Sequence, residues 1–541
     1  MNAPQDLALW EFVASALLEE GPRLFAGVPA DTPELLDVAK KAGAPTLTTR
    51  DQRLAAYAAV GWGMTTGRAG VLALQAGPGF ANSQVGLLEG ASLHQPLVVV
   101  ATSNPKEGIG RGGFQEYDLT VRRSELFVWQ HAVAEASELR WALRSAIASA
   151  EGSQPGPVLL SIPGDLVPEL PYEPGPKFPG PTALSPDPDT VARVAEQMRD
   201  AERVVLLLGG GSKAHGAPEV YRDLAEATDA HVLVTASGRG AFSEASPRFG
   251  GLAGLYASSH ARDLLRTADL VVVVGSALEE TARWGWAEER QAPVVRIDRS
   301  AAVFERSSVS TMPVVGDAIA TVKAILQLIP ERRNRRDPLD SLRSPRPLLA
   351  AGLVSAPAFW MALRDALERA SPRPFMLCQE NGLADLWGYF ADTFTIPDWV
   401  RTVVPGEQTA MGFGLGAALG AEASGAEVLA VAGDGAVEAN LSWLLTASER
   451  HANVALVVLR NKRLGWPSLA RQEDDGLTKL TSDCDLVSFA QSMGFVAQRV
   501  TSVEALLPAL EQLLRSSGPR LIEVDIAGRD AIPGASDWNE D

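Results

Sequence analysis

Cysteine is nearly absent from this chain of 541 residues, which contains only Cys378 and Cys484. Two cysteines cannot build a disulfide framework, and without a Cys-x-x-Cys pair they do not match the usual zinc-binding patterns. Reduced cysteines are among the most buried residue types and are typical of the cytosol. We therefore expect two inert core thiols in a cytoplasmic protein.

Positive charge is also in deficit, because 48 Lys and Arg stand against 66 Asp and Glu and give a net charge of −18. A nucleic-acid partner requires a basic face, so we expect none. Long apolar runs are missing as well: no uninterrupted run approaches the roughly 18 residues that suggest a membrane helix, and the first residues are acidic where a secretory signal would be basic. The sequence therefore predicts no membrane partner.

Glycine and short apolar runs are abundant, with 49 Gly and 46% hydrophobic residues. The apolar runs alternate with helical patterns, which indicates parallel sheets covered by helices. Proline-bearing passages interrupt this alternation after residue 165 and near residue 345. We predict an α/β chain of three doubly wound parallel-sheet domains, at 1–175, 186–330 and 351–541, with a linker at 331–350.

One glycine-rich turn in the second predicted domain has two interpretations. Gly209, Gly210 and Gly211 follow an apolar run. Such a turn can cradle a nucleotide phosphate, and it can equally be a tight connection between a strand and a helix. The sequence leaves both open.

The third predicted domain twice delivers an oxygen-bearing side chain to the end of a strand. Asp434 lies between two glycines after one apolar run, and Asn461 ends the next run 27 residues later. The carboxyl ends of neighbouring parallel strands meet at one edge of a sheet. A carboxylate beside a phosphate-binding helix start would repel the phosphate unless a cation such as Mg²⁺ lay between them. Helix capping by Asp434 and a turn at Asn461 would explain each residue alone, but the paired spacing favours one magnesium site.

This pair resembles the thiamine-diphosphate signature of the superfamily that contains acetolactate synthase, benzoylformate decarboxylase and pyruvate decarboxylase. Further matching pieces stand in the same order along nearly the whole chain. They are Phe-Ala-Gly-Val-Pro at 25–29, Gly-Pro-Gly-Phe-Ala-Asn at 77–82, Phe-Gln-Glu at 114–116, Gly-Pro-Val at 156–158 and Ala-Met-Gly-Phe-Gly-Leu at 410–415. The resemblance implies a pyrimidine-binding domain, a central Rossmann-like domain and a diphosphate-binding domain, in that order.

The resemblance also implies the ligands of the cofactor. Mg²⁺ would be held by Asp434, the side chain of Asn461 and the backbone carbonyl of Arg463. The family usually has Asn-Asn where this chain has Arg460 and Asn461, and since the second Asn is the expected ligand, metal binding should survive. Thiamine diphosphate itself would be contacted by Gly77, Asn82, Met411, Gly433, Gly435 and Ala436, with Met411 as the apolar wedge that bends the cofactor.

Members of this superfamily form their active sites between the pyrimidine-binding domain of one subunit and the diphosphate-binding domain of another. The resemblance therefore implies a homodimer or homotetramer with active sites at the subunit interface. The central domain holds FAD or ADP in some members, but this chain lacks a clear Arg-Phe-Asp-Asp-Arg-type segment. We do not expect FAD.

One position departs from the family pattern. Most relatives have a glutamate after the second strand that bonds the pyrimidine nitrogen N1′ of the cofactor, and alignment on Arg50 and Gly61 puts Gln52 at that position. A glutamine amide can form a hydrogen bond but cannot exchange a proton at neutral pH, so cofactor activation is expected to be slower. The adjacent Asp51 is either a substitute for the missing acid or a surface or capping residue.

The resemblance implies a decarboxylase or carboligase that acts on a 2-oxo acid, with Gln52, His94 and Gln115 as candidate catalytic residues. The Phe-Gln-Glu element at 114–116 favours the acetolactate synthase-like branch, while His94 could equally be a structural loop histidine. One alternative is a lyase that cleaves a 2-hydroxyacyl-CoA or a 2-hydroxy ketone. Another is a cofactor-binding homologue with impaired catalysis, which Gln52 favours and the intact Asp434 and Asn461 oppose.

Overall fold

The computed structural model describes residues 3–168, 172–175, 184–213, 218–286, 292–305, 311–329, 354–470, 476–481 and 484–526. The linker predicted at 331–350 lies outside these ranges. The described residues contain three six-stranded sheets, and every strand pair within them is parallel. This confirms the predicted fold class of three doubly wound α/β units.

The N-terminal sheet has the strand order β2-β1-β3-β4-β6-β5. Its strands are β1 (Phe25–Gly27), β2 (Thr46–Thr48), β3 (Gly70–Gln75), β4 (Leu97–Ser103), β5 (Trp129–Ala132) and β6 (Pro157–Pro163). Its helices are α1 (Ala3–Leu18), α2 (Pro33–Lys41), α3 (Gln52–Thr66), α4 (Pro78–Ser92) and α5 (Leu139–Ala150).

The central sheet has the order β12-β11-β10-β7-β8-β9, which read from β9 is the Rossmann order 3-2-1-4-5-6. Its strands are β7 (Val204–Leu208), β8 (His231–Val234), β9 (Phe249–Leu252), β10 (Leu270–Val274), β11 (Val294–Asp298) and β12 (Met312–Val315). Its helices are α6 (Pro188–Asp200), α7 (Pro218–Thr228), α8 (Ser259–Thr267), α9 (Glu280–Arg283), α10 (Ala302–Glu305) and α11 (Ala318–Leu328). Strands β7 and β10 are buried along their whole length, as expected for a sheet covered on both faces.

The C-terminal sheet, β14-β13-β15-β16-β18-β17, repeats the strand order of the N-terminal sheet. Its strands are β13 (Phe375–Gln379), β14 (Val400–Val403), β15 (Glu427–Gly433), β16 (Val454–Arg460), β17 (Val496–Val500) and β18 (Arg520–Asp525). Its helices are α12 (Ala356–Arg369), α13 (Phe413–Ala423), α14 (Asp434–Glu438), α15 (Ser442–Glu449), α16 (Gly465–Ala470), α17 (Leu486–Ser492) and α18 (Val503–Arg515). The chain reverses its direction of winding between β13 and β15, which is where open α/β sheets bind ligands.

The N-terminal and C-terminal domains share one hydrophobic core, because α3 packs directly on α13. A Cβ atom added to Gly61 would lie 2.4 Å from the backbone of Ala417, and one added to Gly420 would lie 1.9 Å from the carbonyl oxygen of Ala58. Small residues on both helices therefore let the two backbones touch. This contact fixes how the two outer domains are placed relative to each other.

The predicted burial of the cysteines is right for one residue and wrong for the other. Cys378 is buried in β13, whereas Cys484 is exposed just before α17. None of the helices in the part of the chain that the structure describes combines the length and the apolarity that a membrane span requires.

Candidate active site

Asp434 and Asn461 lie at the tips of two neighbouring strands. Strands β15 and β16 pair in parallel with Gly433 opposite Leu459, so the residues that follow them emerge at the same edge of the sheet. Asp434 is only 6% exposed. Its Oδ2 accepts the backbone N–H of Lys462 at 2.6 Å, and its Oδ1 accepts the N–H of Gly435 at 3.0 Å. The two strand-end turns are thus joined through this carboxylate.

The environment of Asp434 fits a cation. Burial raises the pKa of Asp434 to about 6, and the backbone N–H groups of Lys462 and Gly435 oppose the rise only in part. A divalent ion beside the carboxylate would relieve this burial penalty, because it favours the charged form. The described residues contain no cluster of three or more His, Cys, Asp or Glu placed for a metal, so a cation beside Asp434 would be held by at most two such side chains together with neutral oxygens.

The turn after β16 offers neutral oxygens that a cation could bind. The side-chain oxygen of Asn461 accepts the N–H of Arg463 at 2.9 Å, and Lys462 has a φ of 55°, so the chain folds back over the strand end. Arg463 then pairs with Lys479 in an isolated antiparallel bridge. A carboxylate, an amide oxygen and a main-chain carbonyl are the oxygen ligands that Mg²⁺ prefers. The donor chemistry fits the predicted set of Asp434, Asn461 and Arg463.

The glycine-flanked turn around Asp434 is tightly enclosed. Gly433 ends β15 and precedes α14, and a Cβ atom added to Gly435 would lie 2.8 Å from the side chain of Leu464. The carbonyl of Ala436, one residue further, accepts the side-chain N–H of Asn440 at 2.8 Å. Gly433, Gly435 and Ala436, three of the residues predicted to contact the cofactor, therefore lie together where β15 ends and α14 begins.

Arg460, which replaces the first Asn of the family pattern, is held by the neighbouring strand. Its guanidinium pairs with Asp525 at 2.9 Å and with Glu523 at 3.4 Å, both on β18. Arg460 is therefore held by ion pairs with β18. The substitution leaves the oxygen atoms of Asn461 in place at the turn.

Two buried carboxylates hold the segment that carries Met411. Glu89 on α4 accepts the backbone N–H groups of Gly406 and Ala410, and Glu380 after β13 accepts those of Gly412 and Leu415, the last two at 3.1 Å. Burial raises the pKa of both acids, that of Glu380 to about 7. Met411 itself is 49% exposed, so the predicted wedge projects from a rigidly held loop.

Sequence reasoning missed both of these carboxylates. Glu89 stands alone among small and apolar residues of α4, and Glu380 directly follows a buried strand. A charged residue in such surroundings is a signal of a buried acid with backbone partners. That signal was available in the sequence.

Gln52 begins α3 and is bonded on both ends of its amide. Its Nε2 donates to Oδ2 of Asp31 at 2.8 Å, and its Oε1 accepts the Nδ2 hydrogen of Asn82 at 2.8 Å. Asp51 serves as the N-cap of the same helix, accepting the N–H of Leu54 at 2.9 Å. The structure thus brings Gln52 and Asn82 together, gives Asp51 a capping contact, and adds Asp31, which the sequence did not single out.

The glycine turn before α4 lies against Gln115. Gly77 has a φ of 73°, and a Cβ atom there would approach the carbonyl oxygen of Gln115 to 2.5 Å. Gln115 has a φ of 54°, and its side-chain oxygen accepts a hydrogen bond from the amide of Gln75. Gly77, Asn82 and Gln115 are therefore grouped at the N-terminal end of α4.

His94 is not part of this group. It follows the C-terminal end of α4 with a φ of 51°, and at 1.5 Å per residue the helix separates it from Asn82 by about 18 Å. It lines a cleft of about 1070 Å³ between the domains, whose walls also include Gly210, Lys213 and Arg401. A catalytic role of His94 near the substrate remains a prediction from the sequence.

The turn at Gly209 to Gly211 borders the same cleft and packs on a second turn. A Cβ atom at Gly209 would lie 2.4 Å from the carbonyl oxygen of Gly275, and the N–H of Gly211 donates to that oxygen at 2.9 Å. Close packing of the turns after β7 and β10 therefore requires glycine at 209. The tight-turn interpretation accounts for this residue without a nucleotide.

Three family models match the chain in the order of its three sheets. The thiamine pyrophosphate enzyme N-terminal TPP binding domain matches residues 8–121, the central domain matches 191–325 and the C-terminal TPP binding domain matches 387–524. Thiamine pyrophosphate and thiamine diphosphate are the same compound. The C-terminal match includes Asp434 and Asn461, and the N-terminal match includes Asp31, Gln52 and Asn82.

Two acetolactate synthase relatives and a solved structure align with almost the entire chain. A probable acetolactate synthase large subunit of Methanocaldococcus jannaschii is 25% identical over 97% of this chain and 92% of its own length. The acetolactate synthase isozyme 2 large subunit of Escherichia coli is 26% identical over 97% of this chain and 98% of its own. The X-ray structure of a putative thiamin diphosphate-dependent enzyme from Mycobacterium smegmatis superposes with a TM-score of 0.83, at 22% identity over 96% of this chain and 99% of that one.

The fold is thus that of an α/β protein with three doubly wound sheets, and Asp434 and the Asn461 turn meet at the carboxyl edge of the last sheet. The chain belongs to the thiamine pyrophosphate enzyme family and is of the acetolactate synthase-like type. The resemblance stated from the sequence is confirmed.

Proposed function

We propose that the protein is a thiamine-diphosphate- and Mg²⁺-dependent decarboxylase and carboligase of 2-oxo acids, similar to acetolactate synthase. The observation that carries the proposal is the joining of Asp434 and the Asn461 turn at the ends of β15 and β16. The acetolactate synthase relatives, which align over more than nine-tenths of this chain, support the substrate class.

The residues proposed to bind Mg²⁺ and the cofactor come from both outer domains. Asp434, Asn461 and the carbonyl of Arg463 would hold Mg²⁺, and the turn from Gly433 to Ala436 would receive the diphosphate. Bound thiamine diphosphate would supply a nucleophilic carbon and an electron sink for the carbanion left by CO₂. Met411 would support the cofactor, while Gln52, Gly77, Asn82 and Gln115 would line its pyrimidine and substrate side.

A homodimer or homotetramer with active sites between subunits is part of the proposal. Two large apolar side chains near the candidate site are exposed in the single chain: Met411 at 49% and Phe114 at 86%. Burial of apolar surface favours association, so a chain packed over these two side chains would gain free energy. A second copy of the chain would bury both.

A cofactor-binding homologue with impaired catalysis is the second candidate. It is favoured by the contacts of Gln52, whose amide already has a partner at each end and cannot exchange protons as a glutamate does. The two candidates share cofactor binding and differ only in turnover.

The test is turnover of the Mg²⁺- and thiamine-diphosphate-loaded protein with a panel of 2-oxo acids, alone and with carbonyl acceptors. The proposal predicts CO₂ release from at least one acid and its loss in Asp434→Ala. Cofactor binding without CO₂ release from any acid would favour the impaired homologue. A further arm with 2-hydroxyacyl-CoA and 2-hydroxy ketone substrates tests the lyase alternative, for which cleavage without CO₂ release is the positive result.

A further inference from the structure

Asp31, Gln52 and Asn82 form a hydrogen-bonded row at the meeting point of three elements. Asp31 lies in the turn after β1, Gln52 begins α3 and Asn82 is in the second turn of α4. The two bonds in the row are both 2.8 Å long. Gly79 makes room for the row, since a Cβ atom there would lie 3.0 Å from Oδ2 of Asp31.

The row has a fixed polarity, because a carboxylate can only accept hydrogen bonds. Gln52 must therefore turn its NH₂ group toward Asp31, and its carbonyl oxygen must point the other way, where the NH₂ of Asn82 donates to it. Reversing the amide would place its oxygen against the Asp31 carboxylate, and this contact would be repulsive whichever way Asn82 turned its own amide. One orientation of the Gln52 amide is therefore preferred.

We propose that Asp31 is a positioning residue that makes Gln52 present its carbonyl oxygen to the pyrimidine nitrogen N1′ of the cofactor. The inference depends on the proposed function, because that function places N1′ at position 52. An amide oxygen has two lone pairs, so it can accept from the cofactor while it accepts from Asn82. Asp31 and Gln52 together would supply two features that one glutamate supplies in most relatives: the negative charge lies at 31 and the hydrogen-bond acceptor lies at 52.

The arrangement has a chemical consequence for the bound ring. An acceptor at N1′ selects the ring forms that carry a proton there, whereas an NH₂ group would select the unprotonated ring. The Asp31 carboxylate strengthens the acceptor, since hydrogen bonds in a chain polarise one another. The charge one bond behind Gln52 thereby compensates in part for the missing acid.

The pair also explains why glutamate at 52 would be disfavoured in this chain. It would place a second carboxylate at hydrogen-bonding distance from Asp31, and two carboxylates sharing a site cannot both ionise readily. Combining Gln52→Glu with Asp31→Asn would restore the polarity, because an asparagine NH₂ can donate to a carboxylate. The negative charge can thus lie at position 31 or at position 52, but not at both.

A double-mutant cycle tests this with Gln52→Glu, Asp31→Asn and the double variant. Calorimetry measures the affinity for thiamine diphosphate with Mg²⁺, and near-ultraviolet circular dichroism of the bound cofactor reports the protonation state of its ring. We expect the double variant to bind about tenfold tighter than the product of the two single effects, a coupling of about 1.4 kcal/mol. We also expect Asp31→Asn to lose the dichroic signal of the N1′-protonated ring and the double variant to regain it.

Asp51→Asn is the matched control, because it removes a charge one residue from Gln52 while asparagine preserves the N-cap. Its effect should multiply with that of Gln52→Glu without coupling. Thermal midpoints of the cofactor-free variants show whether each is folded, and the double variant is the rescue if a single one is not. If the wild type binds the cofactor and positions 31 and 52 show no more coupling than positions 51 and 52, the inference is wrong and the proposed function is unaffected. If the wild type does not bind the cofactor, both are wrong.

Discussion

Oδ2 of Asp434 accepts the backbone N–H of Lys462 at 2.6 Å, which joins the turn after β15 to the turn after β16. Lys462 lies between Asn461 and Arg463, the two expected metal ligands in the second turn. This hydrogen bond therefore holds all three expected ligands, including Asp434, at one edge of the sheet. Burial of the carboxylate raises its pKa, and the backbone N–H groups of Lys462 and Gly435 oppose this rise only in part. A bound metal ion would favour the charged form of the carboxylate and so offset the cost of its burial.

Neighbouring residues 460 and 461 should respond very differently to substitution. Asn461→Ala removes a proposed metal ligand, so the Mg²⁺-dependent affinity for thiamine diphosphate should fall at least about tenfold. Arg460→Asn restores the family residue and removes ion pairs that point to β18, so the affinity should stay within about threefold. Calorimetric titration measures both. Equal losses in the two variants would contradict the assignment of Asn461 as the ligand.

An added methyl group at the contact between α3 and α13 should destabilise the protein. In Gly61→Ala the new Cβ would lie 2.4 Å from the Cα of Ala417, and the overpacking should lower the free energy of unfolding by about 1 to 3 kcal/mol. Gly108→Ala is the matched control, because its Cβ would meet nothing within 4 Å. Differential scanning calorimetry compares the two thermal midpoints. A midpoint for Gly61→Ala as high as that of the control would refute the close crossing.

Glu380 should make stability depend on pH. Burial raises its pKa to about 7, so its neutral form is favoured in the folded state. The stabilisation is present below the ordinary glutamate pKa and is lost as the pH rises through about 7. Glu380→Gln cannot titrate, so its free energy of unfolding relative to wild type should rise by roughly 1 to 3 kcal/mol between pH 5 and pH 8. Denaturant unfolding at a series of pH values measures this difference, and a constant difference would show that Glu380 does not titrate there.

Thr409 should be a strained residue. It is β-branched yet has a φ of 45° in the loop held by Glu89, and this left-handed conformation costs such a residue about 1 to 2 kcal/mol. Glycine removes that cost but loses about 0.5 to 1 kcal/mol through its greater freedom in the unfolded chain. Thr409→Gly should therefore raise the thermal midpoint slightly, whereas Thr409→Ala, which keeps a Cβ, should gain less. A lower midpoint for the glycine variant than for the alanine variant would argue against strain.

The sequence predicted the features that depend on local pattern and strand order. Alternating apolar runs and helical patterns were enough for three parallel-sheet domains, and the spacing of Asp434 and Asn461 was enough to place them on neighbouring strand tips. Both follow from short-range rules: parallel strands need a crossover, and their carboxyl ends share an edge.

The features that the sequence did not reveal depend on long-range packing. Asp31 is 21 positions from Gln52, and only the fold brings the turn after β1 against the start of α3. The distance of His94 from Asn82 likewise follows from α4 being one continuous helix of 15 residues, which a list of ordered motifs does not show. A motif shows which residues are present, whereas the length of the helix between them determines how far apart they lie.

The most direct test of the account is calorimetric titration of the protein with thiamine diphosphate, with and without Mg²⁺, in the wild type and in Asp434→Asn. The account predicts binding heat for the wild type only when Mg²⁺ is present, and an affinity at least about a hundredfold lower in the variant, because one ionic ligand of the metal is gone. A wild type that binds no cofactor, or a variant that binds it equally well, would contradict the assignment of Asp434.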